Sequence, residues 1–205
     1  MTITIWLTVV SICLLGAMSP GPSLAVILQQ TLQGGRKSGL VAAVSHGFGI
    51  GIYALLCISG IAVMITTSPM LFTALQWLGA AYLIWIGSKG LLARAGANTS
   101  QQQAPTTGSA ARNGFLVVFL NPKVAVFFIA LFSQVIGSDT SWLQKLIYAA
   151  TAMFIDMAWY AIVAWSFSNP RWLGRLQRNT VWIERSFGVV LIALAMRLLA
   201  GGFSN

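Results

Sequence analysis

Apolar residues run along this chain in long blocks, over about 3–30, 40–66, 70–92, 114–136, 143–168 and 181–200. Each block has the roughly 20 residues that an α-helix needs to cross the hydrocarbon core of a bilayer. The pattern predicts an all-α membrane protein with six transmembrane helices. A β-barrel would alternate apolar and polar residues in short segments, and no such alternation is present. Polar residues collect at the joints: Gln33-Gly34-Gly35-Arg36-Lys37-Ser38, Thr66-Thr67-Ser68-Pro69, Gly137-Ser138-Asp139-Thr140-Ser141, and a basic connection with Arg171, Arg175 and Arg178. From Ala95 to Ala111 the chain is rich in Ala, Gly, Ser, Thr and Gln, with too little apolar content to pack. This divides it into a first three-helix repeat (1–94), a flexible cytoplasmic linker (95–113) and a second three-helix repeat (114–205).

Two of the apolar blocks are interrupted where spanning a bilayer requires no interruption. The first contains Ser19-Pro20-Gly21-Pro22-Ser23 and the fourth contains Asn121-Pro122-Lys123. Proline removes a backbone donor and clashes with the preceding turn, and glycine frees the backbone, so each block should become two half-helices. Asn is a favoured N-cap and Pro suits the first helical position, so Asn121-Pro122 reads as a helix start. Irregular backbone at membrane depth has to be buried in protein or line a polar cavity.

Composition agrees with the pattern: 57% of the residues are hydrophobic and 7% charged, far from the charged quarter of a soluble domain. The net charge of +9 could suggest nucleic acid, but the cations sit at span ends and in connections, where membrane topology accounts for them. Arg36, Lys37, Lys89, Arg94, Arg112, Arg171, Arg175 and Arg178 fall on one side, against Lys145 and Arg197 on the other. By the positive-inside rule the first side is cytoplasmic and both termini lie outside. The N-terminus lacks the basic region of a cleaved signal peptide, so the first block is read as a retained span. Trp6, Trp142, Trp172 and Trp182 suit interfacial anchoring. Three spans per half make the halves cross in opposite senses, the inverted-repeat plan of many secondary transporters. Pro22-x-x-Ala25-Val26 matches Pro122-x-x-Ala125-Val126, and Tyr53-Ala54 matches Tyr160-Ala161.

In that plan the second half-helices begin near the midplane, where helix N-termini favour an anionic group. Pro20, Gly21, Pro22, Ser23, Asn121, Pro122 and Lys123 are therefore candidate substrate-binding residues, with Lys123 supplying a full positive charge. Asp156 lies mid-span with no other charge in its segment, which marks a functional position by default. It is a candidate for the substrate's ammonium group and for proton coupling; a permanent Lys123–Asp156 pair joining two spans is the structural alternative. His46, the single histidine, is read first as hydrogen-bonding a neighbouring helix, with proton coupling as the functional alternative. Gly47, Gly49 and Gly51 face two sides of their helix and favour close packing or a hinge. Cys13 and Cys57 read as small hydrophobes, and Glu184 as interfacial. One His and three acidic residues far apart in sequence form no enzymatic constellation and no metal-ligand set, so neither an enzyme nor a metal transporter is expected.

Ser19-Pro20-Gly21-Pro22, Gly35-Arg36-Lys37-Ser38-Gly39, Gly79-Ala80-Ala81-Tyr82-Leu83-Ile84-Trp85-Ile86-Gly87, and Asn121-Pro122-Lys123 with Phe127-Phe128 together make the chain resemble the LysE/RhtB family of bacterial amino-acid exporters over nearly its whole length. The resemblance implies a small inner-membrane protein that exports amino acids in exchange for protons, without a cofactor and often as a homo-oligomer. The stretch from Trp182 to Gly188 looks more like the threonine and homoserine exporters of that family. An exporter of small organic anions or phosphate-bearing metabolites is the second reading, since a helix-end anion site serves these equally.

Overall fold

In the computed structural model the described residues are 2–92, 109–167 and, within 181–199, all but 183, 187, 194, 197 and 198. The basic connection at Arg171, Arg175 and Arg178, Trp172, and the linker up to residue 108 lie outside them. The described chain is helical: α1 (Ile3–Met18), α2 (Pro22–Thr67), α3 (Pro69–Leu91), α4 (Ala110–Leu120), α5 (Pro122–Phe132) and α6 (Trp142–Phe167), followed by helical residues in 181–199. By length and composition α2, α3 and α6 can each cross a bilayer, and α4 with α5, bent by 59°, is long and apolar enough to make a fourth crossing if the pair is taken as one span.

The connection expected at residues 33–38 is present as a sharp kink rather than an extended loop: α2 is helical on both sides of Gly35, which itself is not helical, at φ 73 and ψ 180. Ser38 Oγ donates to Gln30 Oε1 at 3.2 Å and Ile27 packs with Ala42 and Ala43, residues that a straight α2 would hold roughly 12 Å or more apart, so α2 folds back on itself. It therefore serves as two arms joined at Gly35. With α1 and the first arm counted as one broken span and the second arm as another, the six-helix plan is compatible with this topology. Ser68 alone separates α2 from α3. Helix α4 starts at Ala110, earlier than the apolar block suggests, because Ser109 caps it by accepting a hydrogen bond from the Arg112 amide at 3.3 Å. Helix α5 ends at Phe132, short of the end of its apolar block at 136, and residues 133–141 form the turn before α6.

Both expected breaks are present. Pro20 and Pro22 cannot donate, and α1 closes with Ser19 N–H on the Gly16 carbonyl at 3.2 Å before α2 opens with Pro22 in its first turn. Asn121 closes α4 and caps α5, whose first residue is Pro122.

The second arm of α2 is central. It packs on α6 and α4, while Val44, Phe48, Ile52 and Leu56, four residues apart, form an exposed apolar strip suited to lipid. Small residues set the approach of its neighbours. A side-chain carbon at Gly47 would lie 2.7 Å from Met157 Cβ, and one at Gly51 2.9 Å from the Met153 sulfur, so both face α6; Gly49 faces Val118 and Phe115 of α4. Two buried apolar clusters result. One gathers Val9, Ile50, Ala80, Phe128, Ala152 and Leu191 from all the major elements. The other joins Ile27 of the first α2 arm to Ala42 and Ala43 of the second and to Tyr160, Val163 and Ala164 of α6. Trp6 is tied into this packing, its indole N–H donating to Thr151 Oγ1 of α6 at 3.1 Å, whereas Trp142 and Trp182 are exposed.

Candidate substrate site between the two helix breaks

The two breaks meet. Asn121 Nδ2 donates to Ser23 Oγ at 3.2 Å, and Lys123 Nζ donates to Ser19 Oγ and, at 2.8 Å, to the Pro20 carbonyl. Lys123 thus spans from the start of α5 to the end of α1. A lysine in the first turn of a helix sits at the unfavourable end of that helix's dipole, and its contact with the carbonyl end of α1 offsets this.

The two half-helix starts are chemically unequal. In α5 the Asn121 side chain accepts from the Lys123 amide at 3.0 Å and the Asn121 carbonyl accepts from the Val124 amide at 3.1 Å, so its first donors are engaged. In α2 the cap is Gly21, which has no side chain to accept a hydrogen bond. The anion-seeking backbone donors at this site therefore come chiefly from α2, and α5 contributes the Lys123 charge.

Asp156 is buried and bonded to His46, with Nδ1 to Oδ2 at 2.6 Å. The suggested Lys123–Asp156 pair is not formed: the cation reaches the first break, and the carboxylate's ion-pair partner is His46, which is 1% exposed. This follows from packing, because His46 and Asp156 immediately precede Gly47 and Met157, where α2 and α6 are in close contact. Tyr160, one turn beyond Asp156, places its ring edge-on to the imidazole with centroids 4.8 Å apart. His46 Nε2 is buried without a hydrogen-bond partner.

A cavity of about 60 Å³ lies between these groups, well above the roughly 10–15 Å³ that a single water needs. Ser19, Gly21, Ser23, Asn121 and Lys123 line it at the breaks, and His46, Asp156 and Tyr160 line it from α2 and α6. Its apolar walls include Cys13, Gly16 and Ala17 of α1, Ile50 of α2, and Phe127 and Phe128 of α5. Of the residues expected to bind substrate, Gly21, Ser23, Asn121, Lys123 and Asp156 share this cavity. Pro20 contributes a carbonyl to Lys123, Pro22 starts α2, and Pro122 is exposed at the start of α5. Sequence reasoning did not find Ser19, Tyr160 or the α1 wall as parts of the site. Tyr160 carried a usable signal, since it lies four residues from Asp156 and therefore on the same helix face. Glu184, read as interfacial, is partly buried. Both cysteines are free thiols, Cys13 in the cavity wall and Cys57 against the larger core cluster. Among the described residues, no group of three His, Cys, Asp or Glu side chains could hold a metal ion.

A family model described as LysE type translocator matches residues 14–202. Similar curated proteins include the uncharacterized membrane protein YahN of Escherichia coli K12, 27% identical over 91% of this chain and 85% of that protein. The threonine efflux protein of the same strain is 24% identical over 95% of this chain and 97% of its own length. The leucine efflux protein of Klebsiella pneumoniae is 28% identical over 87% of each. No solved structure matches.

Proposed function

This chain belongs to the LysE type translocator family, and from that membership and the cavity at its centre we propose that it exports neutral amino acids across the bacterial inner membrane in exchange for protons. It is a multi-pass membrane protein, and relatives matched over most of their length are named for efflux of threonine and of leucine. The observation that carries the reading is the dipolar lining of the cavity, with Lys123 and the uncapped start of α2 at one part and Asp156 at another. Such a site complements the carboxylate and ammonium of a zwitterion together, while the apolar wall of Cys13, Ala17, Ile50 and Phe128 accepts an uncharged side chain. A dianion or a phosphate ester would meet the Asp156 carboxylate, which weighs against the organic-anion alternative.

In this reading the termini are outside, the Gly35 joint is cytoplasmic, and the halves on either side of the linker rock about the breaks as inverted repeats. The test uses purified protein in liposomes loaded with labelled threonine or leucine, with unlabelled competitors outside. Exchange blocked by neutral amino acids and unaffected by succinate or a sugar phosphate is expected, together with efflux driven by an inward proton gradient. Asp156→Asn should reduce exchange at least about tenfold, the scale of a hydrogen bond to a charged group. Competition by organic acids with none by amino acids would sink the zwitterion assignment.

A further inference from the structure

His46 contributes more to the site than the joining of two helices. We infer that its imidazole carries the coupling proton, and that proton and substrate exclude each other because both act on the single carboxylate of Asp156. The inference rests on the exporter reading above and concerns the way transport is coupled.

The geometry separates the two ring nitrogens. In the inferred cycle Asp156 is ionised and only accepts, so Nδ1 carries the hydrogen of the 2.6 Å contact with Oδ2. That bond persists whether the ring is neutral or charged. Nε2 is buried and has no hydrogen-bond partner among the described residues, so no protein hydrogen bond fixes its protonation. The titratable groups sharing the cavity are Cys13 from α1, Lys123 from α5, and Asp156 and Tyr160 from α6. Asp156 alone pairs with the imidazole, and Tyr160 meets it through its ring edge.

With the site empty and Nε2 protonated, Asp156 balances an imidazolium. When a zwitterion binds from the cytoplasm, its ammonium also approaches Asp156, while Lys123 remains engaged at the carboxylate end. Two cations on one buried carboxylate repel strongly in a medium of low dielectric. The Nε2 proton leaves to cytoplasmic water, the ring becomes neutral with Nδ1–H still on Oδ2, and the ammonium takes over the charge of Asp156. When the site opens outward, a proton from outside adds to Nε2, restores the imidazolium and expels the ammonium. Each cycle moves one amino acid out and one proton in, and carries one positive charge inward.

The test compares wild type with His46→Asn, whose amide can keep a donor near the position of Nδ1 but cannot be protonated. Labelled leucine is the first probe and labelled threonine the second, with the membrane potential clamped. With one-to-one exchange, a pH step of one unit should sustain about a tenfold leucine gradient in wild type. In His46→Asn the leucine gradient that the pH step sustains, measured against whatever gradient-free leucine exchange the variant retains, should collapse to about one. A variant that still builds the wild-type gradient overturns the inference. An independent measurement needs no variant: leucine added to wild-type protein in weakly buffered detergent at mildly acidic pH should release about one proton per leucine bound. Leucine binding with no proton release overturns it as well. If wild-type protein exchanges no neutral amino acid, the exporter reading itself fails, which gradient-free exchange detects separately from coupling.

Discussion

Lys123 has a clear energetic position. Its charge lies at the start of its own helix, where the dipole opposes it, and is held by the Ser19 hydroxyl and the Pro20 carbonyl. A side chain retained there for packing alone would be better uncharged, so its charge is expected to matter most when an anion occupies the cavity. Lys123→Gln should weaken binding of free amino acids by roughly tenfold to a hundredfold, as hydrogen bonds to charged groups contribute about 1.5–3 kcal/mol. Amino-acid amides, which lack the carboxylate, should bind wild type and variant alike. Competition of free acid and amide against labelled leucine checks this; an equal loss for both would show that Lys123 only supports the breaks. The importance of Lys123 was legible in the sequence because Asn-Pro-Lys is a local helix-start signal. Its partners were not, because Ser19 and Pro20 lie about a hundred residues away.

Among the elements, α2 departs furthest from a simple reading of the hydrophobic pattern. The sequence from Gln33 to Ser38 has the composition of a loop, and the chain does turn there, but a single non-helical residue, Gly35, absorbs the whole change of direction. At φ 73 and ψ 180 Gly35 occupies backbone space that is essentially closed to residues with a Cβ, whereas an added carbon would meet no atom within 4 Å. The cost of Gly35→Ala is therefore torsional and should lower stability by about 1–3 kcal/mol. Gly60, helical and also in open space, is the control: Gly60→Ala should be neutral or stabilising by up to about 1 kcal/mol. Thermal unfolding of both variants in detergent checks the contrast, and equal melting temperatures would remove the special role of the joint. The half-helix breaks were readable from Pro and Gly chemistry. The unequal capping of α2 and α5 was readable too, since Gly21 has no side-chain acceptor and Asn121 has one.

For the molecule as a whole, the distribution of basic residues sets an orientation that labelling can test. The turn carrying Ser138 should face outside and the joint beside Ser38 the cytoplasm. Ser138→Cys should react with an impermeant maleimide on intact cells, and Ser38→Cys only after permeabilisation; the reverse pattern would invert the topology and with it the assigned direction of proton entry. The native thiols Cys13 and Cys57 lie within apolar helices and give little background.

The sequence alone determined the membrane class, the apolar blocks, the two interrupted helices and the residues worth suspecting. These depend on local properties: run length, a missing backbone donor, a cap, and an isolated charge that is costly in lipid. Tertiary structure decided which suspects meet. Lys123 and Asp156 were equally suited to pair by charge, but α2 and α6 are in close contact at Gly47 and Met157, and the adjacent His46 and Asp156 are thereby brought together. Partner choice at this site follows from how small residues set helix approach across the whole core, so an interaction between residues 46 and 156 is fixed only when the helices are packed.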